Sequence, residues 1–166
     1  MYFLKKDPGG SVYVSVYDST IASTSLTSMF RLKAGSNTRV TIEEVHVGRA
    51  GGGANSFGIY LYRGSTTALS TTYNVTPTPI GGWTGYPAAA SQVNVGSTVL
   101  PSTASAVLLD ADTSDGYRYT FDGWGDLELV PGQVFDVVGK YLQVASSDAD
   151  IHGVLRFRET GKNPIS

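Results

Sequence analysis

The 166-residue chain has no cysteine, few charged residues and no long apolar run, and each shortage excludes a class of protein. Without cysteine there is no disulfide framework and no thiolate metal site. Charged residues make up 16% of the chain, against about 25% in an average domain. The net charge of −2 argues against a nucleic-acid partner, because phosphate neutralisation needs clustered Lys and Arg. The apolar runs are too short to cross a bilayer, so no membrane partner is expected.

The residue patterns of common catalytic and cofactor sites are also missing. The two histidines, His46 and His152, show no metal-ligand spacing, and both lie in predicted strands. No Gly-x-Ser-x-Gly elbow is present, although a triad assembled in space stays open. The glycine-rich run at 48–58 is not followed by the Lys-Ser or Lys-Thr of a phosphate loop. We therefore predict a protein that is not an enzyme and binds no cofactor or metal.

Two acidic groups have a functional interpretation beside a structural one. In residues 110–116 three aspartates precede a glycine, but the spacing departs from an EF-hand loop. An irregular calcium site and a solvated turn both remain open there. Glu43 and Glu44 could be the paired carboxylates of a glycosidase, which must face each other across a cleft. Because neighbours on a strand point to opposite faces, we prefer a structural role for this pair.

Alternation of apolar and polar residues with period two dominates the chain and is typical of half-buried strands. In the clearest case Tyr117, Tyr119 and Phe121 share one face, so we predict that they are buried together. The candidate strands lie at 12–17, 26–32, 40–47, 57–62, 69–76, 106–109, 117–121, 127–130, 134–144 and 151–157. Turn formers such as Pro131-Gly132 separate them. The pattern predicts an all-β, jelly-roll-like antiparallel β-sandwich with one domain and little or no helix.

The alternation changes parity inside one of these strands. Val40 and Ile42 share one parity, whereas Val45 and Val47 share the other. An extra residue at Glu43-Glu44 would return both apolar pairs to the same face, so a β-bulge is predicted there. A second break is possible at Gly139, where apolar residues occupy both faces of the strand.

The organisation along the chain suggests three parts of one compact domain. Residues 1–38 are an N-terminal segment with one or two strands and a possible partner contact. Residues 39–166 form the sandwich core. Within the core, residues 77–103 show little alternation and are rich in Pro, Gly and Ala, which predicts a long insertion loop. Long loops in compact domains are usually functional.

Aromatic residues supply the candidate interaction sites. Four tyrosines alternate with aliphatic residues along their strands, namely Tyr13, Tyr17, Tyr60 and Tyr62. Their rings are therefore predicted to point outward, where they suit an interface or cross-strand pairing. Loop tryptophans can stack on a sugar, contact a protein or cap the sandwich. The predicted partner-binding residues are Tyr2, Phe3, Leu4, Trp83, Tyr86 and Trp124.

Several stretches, in order, resemble a known family. They are Ile42–Gly48, Ile59–Arg63, Val75–Pro79, Ala106–Leu109, Tyr119–Trp124, Leu127–Gly132 and Leu155–Glu159. Together they are similar to the head decoration, or cement, proteins of tailed bacteriophages. The chain departs from that family at Ile80–Tyr86, where family members carry an Asp- and Ala-rich segment. Residues 1–38 lie outside the resemblance.

The resemblance implies a structural virion protein, a jelly-roll sandwich that binds the major capsid protein on the capsid exterior. It also implies a homo-oligomer, most often a trimer. An alternative is a carbohydrate- or receptor-binding β-sandwich of a phage tail fibre or spike, and a glycan-active enzyme is a third. Fold does not separate these functions, so copy number in purified particles is the deciding measurement.

Overall fold

The computed structural model describes residues 11–21, 24–25, 27–52, 57–63, 71–80, 88–99, 107–110, 116–120, 127–142 and 149–160. These residues form twelve β-strands and no helix. The strands are β1 (Ser11–Ile21), β2 (Thr27–Lys33), β3 (Arg39–Gly52), β4 (Phe57–Arg63), β5 (Thr71–Val75), β6 (Thr78–Pro79), β7 (Gln92–Val99), β8 (Val107–Asp110), β9 (Gly116–Thr120), β10 (Leu127–Leu129), β11 (Val134–Tyr141) and β12 (Ala149–Thr160). Over these ranges the chain has no helix of the length and apolarity that crossing a membrane requires.

The strands form two antiparallel sheets packed face to face, which confirms the predicted β-sandwich. Sheet A has the order β10-β3-β12-β1-β6, with β9 also paired to β3. Sheet B has the order β5-β7-β2-β11-β4-β8. From β1 to β4 each strand lies in the opposite sheet from its predecessor. All ten predicted strands are present with small changes of boundary.

The core lies between the sheets and is built from alternate residues of both. In sheet A the Tyr13 and Phe157 rings stack, with centroids 5.6 Å apart and an interplanar angle of 25°. The largest fully buried side chains are Tyr13, Phe30, Phe57, Phe135, Phe157, Met29, Leu32, Ile42, Ile59 and Leu129. The five aromatic side chains in this set each bury a large apolar area, so they contribute strongly to the stability of the sandwich.

The bulge predicted at Glu43-Glu44 is confirmed. Against β12, Phe157 pairs with Ile42 and Arg156 pairs with Glu44, so Glu43 is the extra residue of β3. Its insertion turns both apolar pairs inward, and Val40, Ile42, Val45 and Val47 are all fully buried.

The break predicted at Gly139 is absent, and the register of β11 against β2 shifts instead at Met29. β11 pairs with β4 through Gly139 without interruption. Against β2 the register shifts between Val137 and Val138, which leaves Met29 as the extra residue. Val137 and Val138 are both fully buried, so both faces of β11 are covered. Parity of apolar residues cannot locate a break in a strand buried on both faces.

The predicted insertion loop at 77–103 is corrected by two strands within it. Thr78–Pro79 forms β6 beside β1, and Gln92–Val99 forms β7 inside sheet B, between β5 and β2. Val93 and Val95 of β7 belong to the core. The alternation there spans too few residues to stand out in a stretch rich in Pro, Gly and Ala.

The division at residue 38 does not separate two structural parts. β1 pairs with β12 over all its 11 residues, and β2 lies inside sheet B between β7 and β11. The N-terminal segment therefore supplies one strand to each sheet. Residues 1–10, where the predicted partner contact falls, lie outside the described residues.

The predicted Pro131-Gly132 turn joins β10 to β11. Gly132 has a φ of 77°, and the Gln133 amide donates to the Val130 carbonyl over 3.0 Å. A positive φ at the third position of a turn is characteristic of glycine in a type II turn. This conformation sets the direction in which β11 enters sheet B.

Candidate interaction surfaces

The six predicted partner-binding residues all lie outside the described residues. These are Tyr2, Phe3, Leu4, Trp83, Tyr86 and Trp124. The strand predicted at 117–121 is present as β9, which pairs with β3. The burial of its aromatic side chains stays a prediction, because the structure does not describe these side chains. Candidate surfaces are therefore built from the outer faces of the two sheets.

An apolar strip runs along the outer face of sheet A. We define the valine strip as Val12, Val14 and Val16 of β1, Val154 of β12, and Ile80 just after β6. Val16 is 49% exposed and Ile80 is 41% exposed, while the other three are half-buried. The sheet thus presents its aliphatic side chains outward at this edge.

The valine strip corrects the predicted orientation of β1. Tyr13 was expected to point outward, but it is fully buried and stacks on Phe157. The larger ring buries more apolar area than a valine, so the tyrosine face of β1 is the one that packs inward. The side chain of Tyr17 lies outside the description.

Charged side chains border the valine strip along β12. Glu43, the bulge residue, accepts hydrogen bonds from Arg156 Nε and Arg158 Nε, one on each carboxylate oxygen and both at 2.8 Å. The bulge directs this carboxylate over the neighbouring strand instead of along its own. Glu43 therefore cross-links β3 to β12 on the outer face, which is a structural role.

The two histidines also lie on the outer face of sheet A. His152 Nδ1 lies 2.5 Å from Asp18 Oδ1, with the two side chains 49% and 76% exposed. His46 is half-buried and pairs in register with Val154. Within the described ranges, no cluster of three or more His, Cys, Asp or Glu side chains could hold a metal ion.

The outer face of sheet B carries the two tyrosines that were predicted to point outward. Tyr60 and Tyr62 are half-buried, while Ile59 and Leu61 between and beside them belong to the core. The Lys140 ammonium lies 5.5 Å from the Tyr60 ring centroid, a cation–π distance. The outward orientation of this pair is confirmed.

A buried ion pair lies beside these tyrosines. Arg31 of β2 and Asp136 of β11 are register partners, joined by Nε–Oδ1 at 2.7 Å and Nη2–Oδ2 at 3.1 Å. Ser28 donates a third hydrogen bond to Asp136 Oδ1 over 2.7 Å. Asp136 has no exposed surface and Arg31 is 7% exposed. Burial raises the pKa of Asp136, while the hydrogen bonds from Arg31 and Ser28 and the positive charge of Arg31 oppose that rise.

Sequence reasoning missed this pair and a third buried charge, Glu159, which is 2% exposed. A signal was present, because Arg31 and Asp136 carry charges of opposite sign and each has apolar residues on both sides in its strand. Such residues are almost never buried unless paired. The partner could not be named, since the adjacency of β2 and β11 is non-local.

Comparison with known proteins identifies no relative. No family model, no curated protein and no solved structure matches the chain.

Proposed function

We propose that the chain is a structural protein of a bacteriophage virion, a head decoration protein that binds the outside of the capsid and stabilises it. The observation that carries the proposal is the valine strip, whose Val16 and Ile80 are 49% and 41% exposed. Exposed apolar side chains with a charged border have the composition of protein–protein contact surfaces.

Three of the stretches that carry the family resemblance are neighbours in sheet A, which supports the proposal. Residues 42–48 lie on β3, residues 155–159 lie on β12, and these two strands are paired. Residues 127–129 form β10, which pairs with β3 at Ile42. Segments far apart in the sequence thus lie together around the Glu43 bulge, as a shared surface requires.

The proposed mechanism is burial of surface across neighbouring capsid subunits, so that each bound oligomer clamps them together. Stable interfaces of standard size bury about 1,200–2,000 Å². The proposed partners are the major capsid protein and further copies of the chain, in a homotrimer on the capsid exterior. Tyr60 and Tyr62 add outward aromatic area of the kind enriched at such interfaces.

A matched pair of substitutions tests the proposal. Purified protein is added to particles that lack it, and bound copies are counted after sedimentation and located by particle imaging. We expect Val16→Asp to weaken binding, because it places a charge in the valine strip. Val130→Asp is the control, since Val130 is 46% exposed and lies at the β10–β11 turn. If both variants bind as well as the unchanged protein, the valine strip is not the capsid contact.

Removal of Met1–Gly10 tests the predicted N-terminal contact separately. We expect the truncated protein to keep the sandwich, because β1 begins at Ser11 and the described core uses none of the removed residues. Particle binding or trimer assembly should weaken, as measured by sedimentation and light scattering. Unchanged assembly and binding would show that this segment is no contact.

A second candidate function is a carbohydrate- or receptor-binding sandwich of a tail fibre or spike. The outward, half-buried side chains of Tyr60 and Tyr62 favour it, since aromatic faces can stack on sugars. A chain present in a few copies at the tail, with glycan binding that Tyr62→Ala abolishes, would establish this function in place of decoration.

A further inference from the structure

Gly58 of β4 allows the Tyr60 side chain to lie along its own strand. The two residues are two positions apart and therefore share the outer face of sheet B. A Cβ atom placed on Gly58 would lie 2.9 Å from Tyr60 Cε2 and 3.1 Å from Tyr60 Oη. The tip of the tyrosine thus occupies the space that a side chain at position 58 would need, so any larger residue there displaces the ring.

Two side chains of β11 and its end complete this cluster. Lys140 is the register partner of Gly58, and its ammonium lies 5.5 Å from the Tyr60 ring centroid. The Cβ position of Gly58 is also 3.3 Å from Leu142 Cδ2, and Leu142 is 39% exposed. We define the Tyr60 patch as Gly58, Tyr60, Lys140 and Leu142. It combines an aromatic, an aliphatic and a cationic side chain on one face.

The charge of Lys140 is not neutralised by a neighbouring carboxylate. In the described part of the chain, its ammonium contacts the Tyr60 ring and forms no ion pair. The strands of sheet B also carry more positive than negative charge, with Arg31, Lys33, Arg63 and Lys140 against Asp110 and Asp136. Asp136 is already paired with Arg31. A half-buried cation without a counter-ion favours a ligand that supplies one.

We propose that the Tyr60 patch binds an acidic sugar, a pyranose that carries a carboxylate. The apolar C–H face of the sugar contacts Tyr60 and Leu142, and its carboxylate accepts a charge-assisted hydrogen bond from Lys140. The site goes beyond capsid binding, since it lies on sheet B and the valine strip lies on sheet A. It also assigns a ligand class and an anchoring charge to the second candidate function, on which it does not depend.

The shape of the patch favours a sugar over an acidic protein segment. Side chains that anchor a protein partner cluster in well-packed recesses. The recess that Gly58 would leave in the strand is filled by Tyr60 and Leu142, and Gly58 is itself buried. A sugar ring presents a flat apolar face and a carboxylate at a fixed position. It therefore matches such a surface and loses little conformational entropy on binding.

An amide chemical-shift titration with a trimer of galacturonic acid tests the site without any capsid. We expect saturable shifts at Tyr60 and Lys140. Lys140→Gln should weaken binding about tenfold or more, because it removes the charge that pairs with the carboxylate. Lys33→Gln is the matched control, since it removes the same charge from an exposed residue opposite the other end of β11. It should change the affinity less than about twofold.

Two results of this titration would overturn the site. One is the absence of saturable shifts in the unchanged protein. The other is an equal loss of affinity in Lys140→Gln and Lys33→Gln, which would mean diffuse attraction to sheet B. Because no particle takes part, the result stands whether or not the chain binds capsids.

The position of the ring is tested without changing any charge. Gly58→Ala introduces the Cβ atom that displaces Tyr60, so binding should weaken about threefold or more while circular dichroism shows an intact sandwich. Tyr60→Ala removes the ring directly and answers the same question if Gly58→Ala does not fold. If either folded variant binds normally, the ring position is not part of the site.

Two further ligands test the chemical class. The galactose trimer of the same linkage lacks the carboxylates and should bind about tenfold or more weakly. Equal affinity for the two trimers would overturn the acidic class but leave the second candidate function standing. A triglutamate peptide carries the same number of side-chain carboxylates and should give no saturable shift at Tyr60. If it binds as tightly as the sugar, the patch is a contact for an acidic protein segment and the proposal fails.

Discussion

The outer faces of the two sheets carry the same kind of ion pair in opposite surroundings. On sheet A, Arg156 reaches Glu43 over 2.8 Å, with the two side chains 44% and 21% exposed. On sheet B, Arg31 reaches Asp136 over 2.7 Å, with 8% and 0% exposed. The two ion pairs have nearly equal distances but should contribute differently to the free energy of folding, because burial sets the desolvation cost of each charge.

This contrast shows that a side chain on the outer face of a sheet is not necessarily exposed to solvent. Sheet A presents hydrated charges and the valine strip, so its outer face is available to a partner. Around Asp136 the outer face of sheet B is as buried as a protein core, so each charge there is stabilised only by its partner. Substitutions on the two faces should accordingly differ in size and in pH dependence.

The largest effect is expected from deletion of Glu43 together with Glu44. Ile42 and Val45 would then be adjacent, so a regular β3 ladder turns the apolar pair on one side of the junction outward. Each exposed side chain costs about 1.5–3 kcal/mol, so a domain of ordinary stability should lose its cooperative thermal transition, which circular dichroism melting measures. Deletion of Glu43 alone is the control, because it removes only the extra residue, keeps both apolar pairs inward and should leave the transition cooperative. Equal melts of the two deletion variants would contradict the role of the bulge.

Removal of one buried charge should have the next largest effect. Arg31→Met leaves the Asp136 carboxylate buried without its counter-charge, so the free energy of unfolding should fall by about 3–5 kcal/mol in urea titrations at neutral pH. Replacing both residues, Arg31→Met with Asp136→Leu, should restore most of that loss or exceed it. A cost below about 1 kcal/mol for Arg31→Met would mean that the pair is hydrated like those of sheet A.

The same pair predicts a pH dependence of moderate size. Because the pKa of Asp136 is raised in the folded state, its contribution to stability is complete below the ordinary aspartate pKa. That contribution is lost as the pH rises through the raised value. The stability of the natural protein relative to the Arg31→Met, Asp136→Leu variant should therefore fall as the pH rises above the ordinary aspartate pKa. A difference that grows with pH would reverse the assigned sign.

The smallest effect is expected on the outer face of sheet A. His152→Ala breaks the contact with Asp18, but the two side chains are 49% and 76% exposed and remain hydrated. The free energy of unfolding should change by less than about 0.5 kcal/mol, and added salt should reduce even this. Thermal melts at low and high ionic strength measure both quantities. A loss comparable to that of Arg31→Met would erase the difference between the two faces.

Strand positions and the Glu43 bulge were predictable because both depend on local alternation. Period two marks a strand wherever one face is buried, and the parity change between Ile42 and Val45 marks the extra residue. β7 was missed since its alternation is short, and the break at Met29 was missed because β11 is buried on both faces. The six predicted partner-binding residues stay predictions.

The sequence by itself determined the class of fold, the positions of ten strands and the place of one bulge. Only the tertiary structure decided which face of β1 is buried, which strands are neighbours, and how Arg31 meets Asp136. The physical reason is that alternation defines two faces but does not choose between them. That choice depends on the area buried against strands distant in the chain, such as β12 against β1 and β11 against β2.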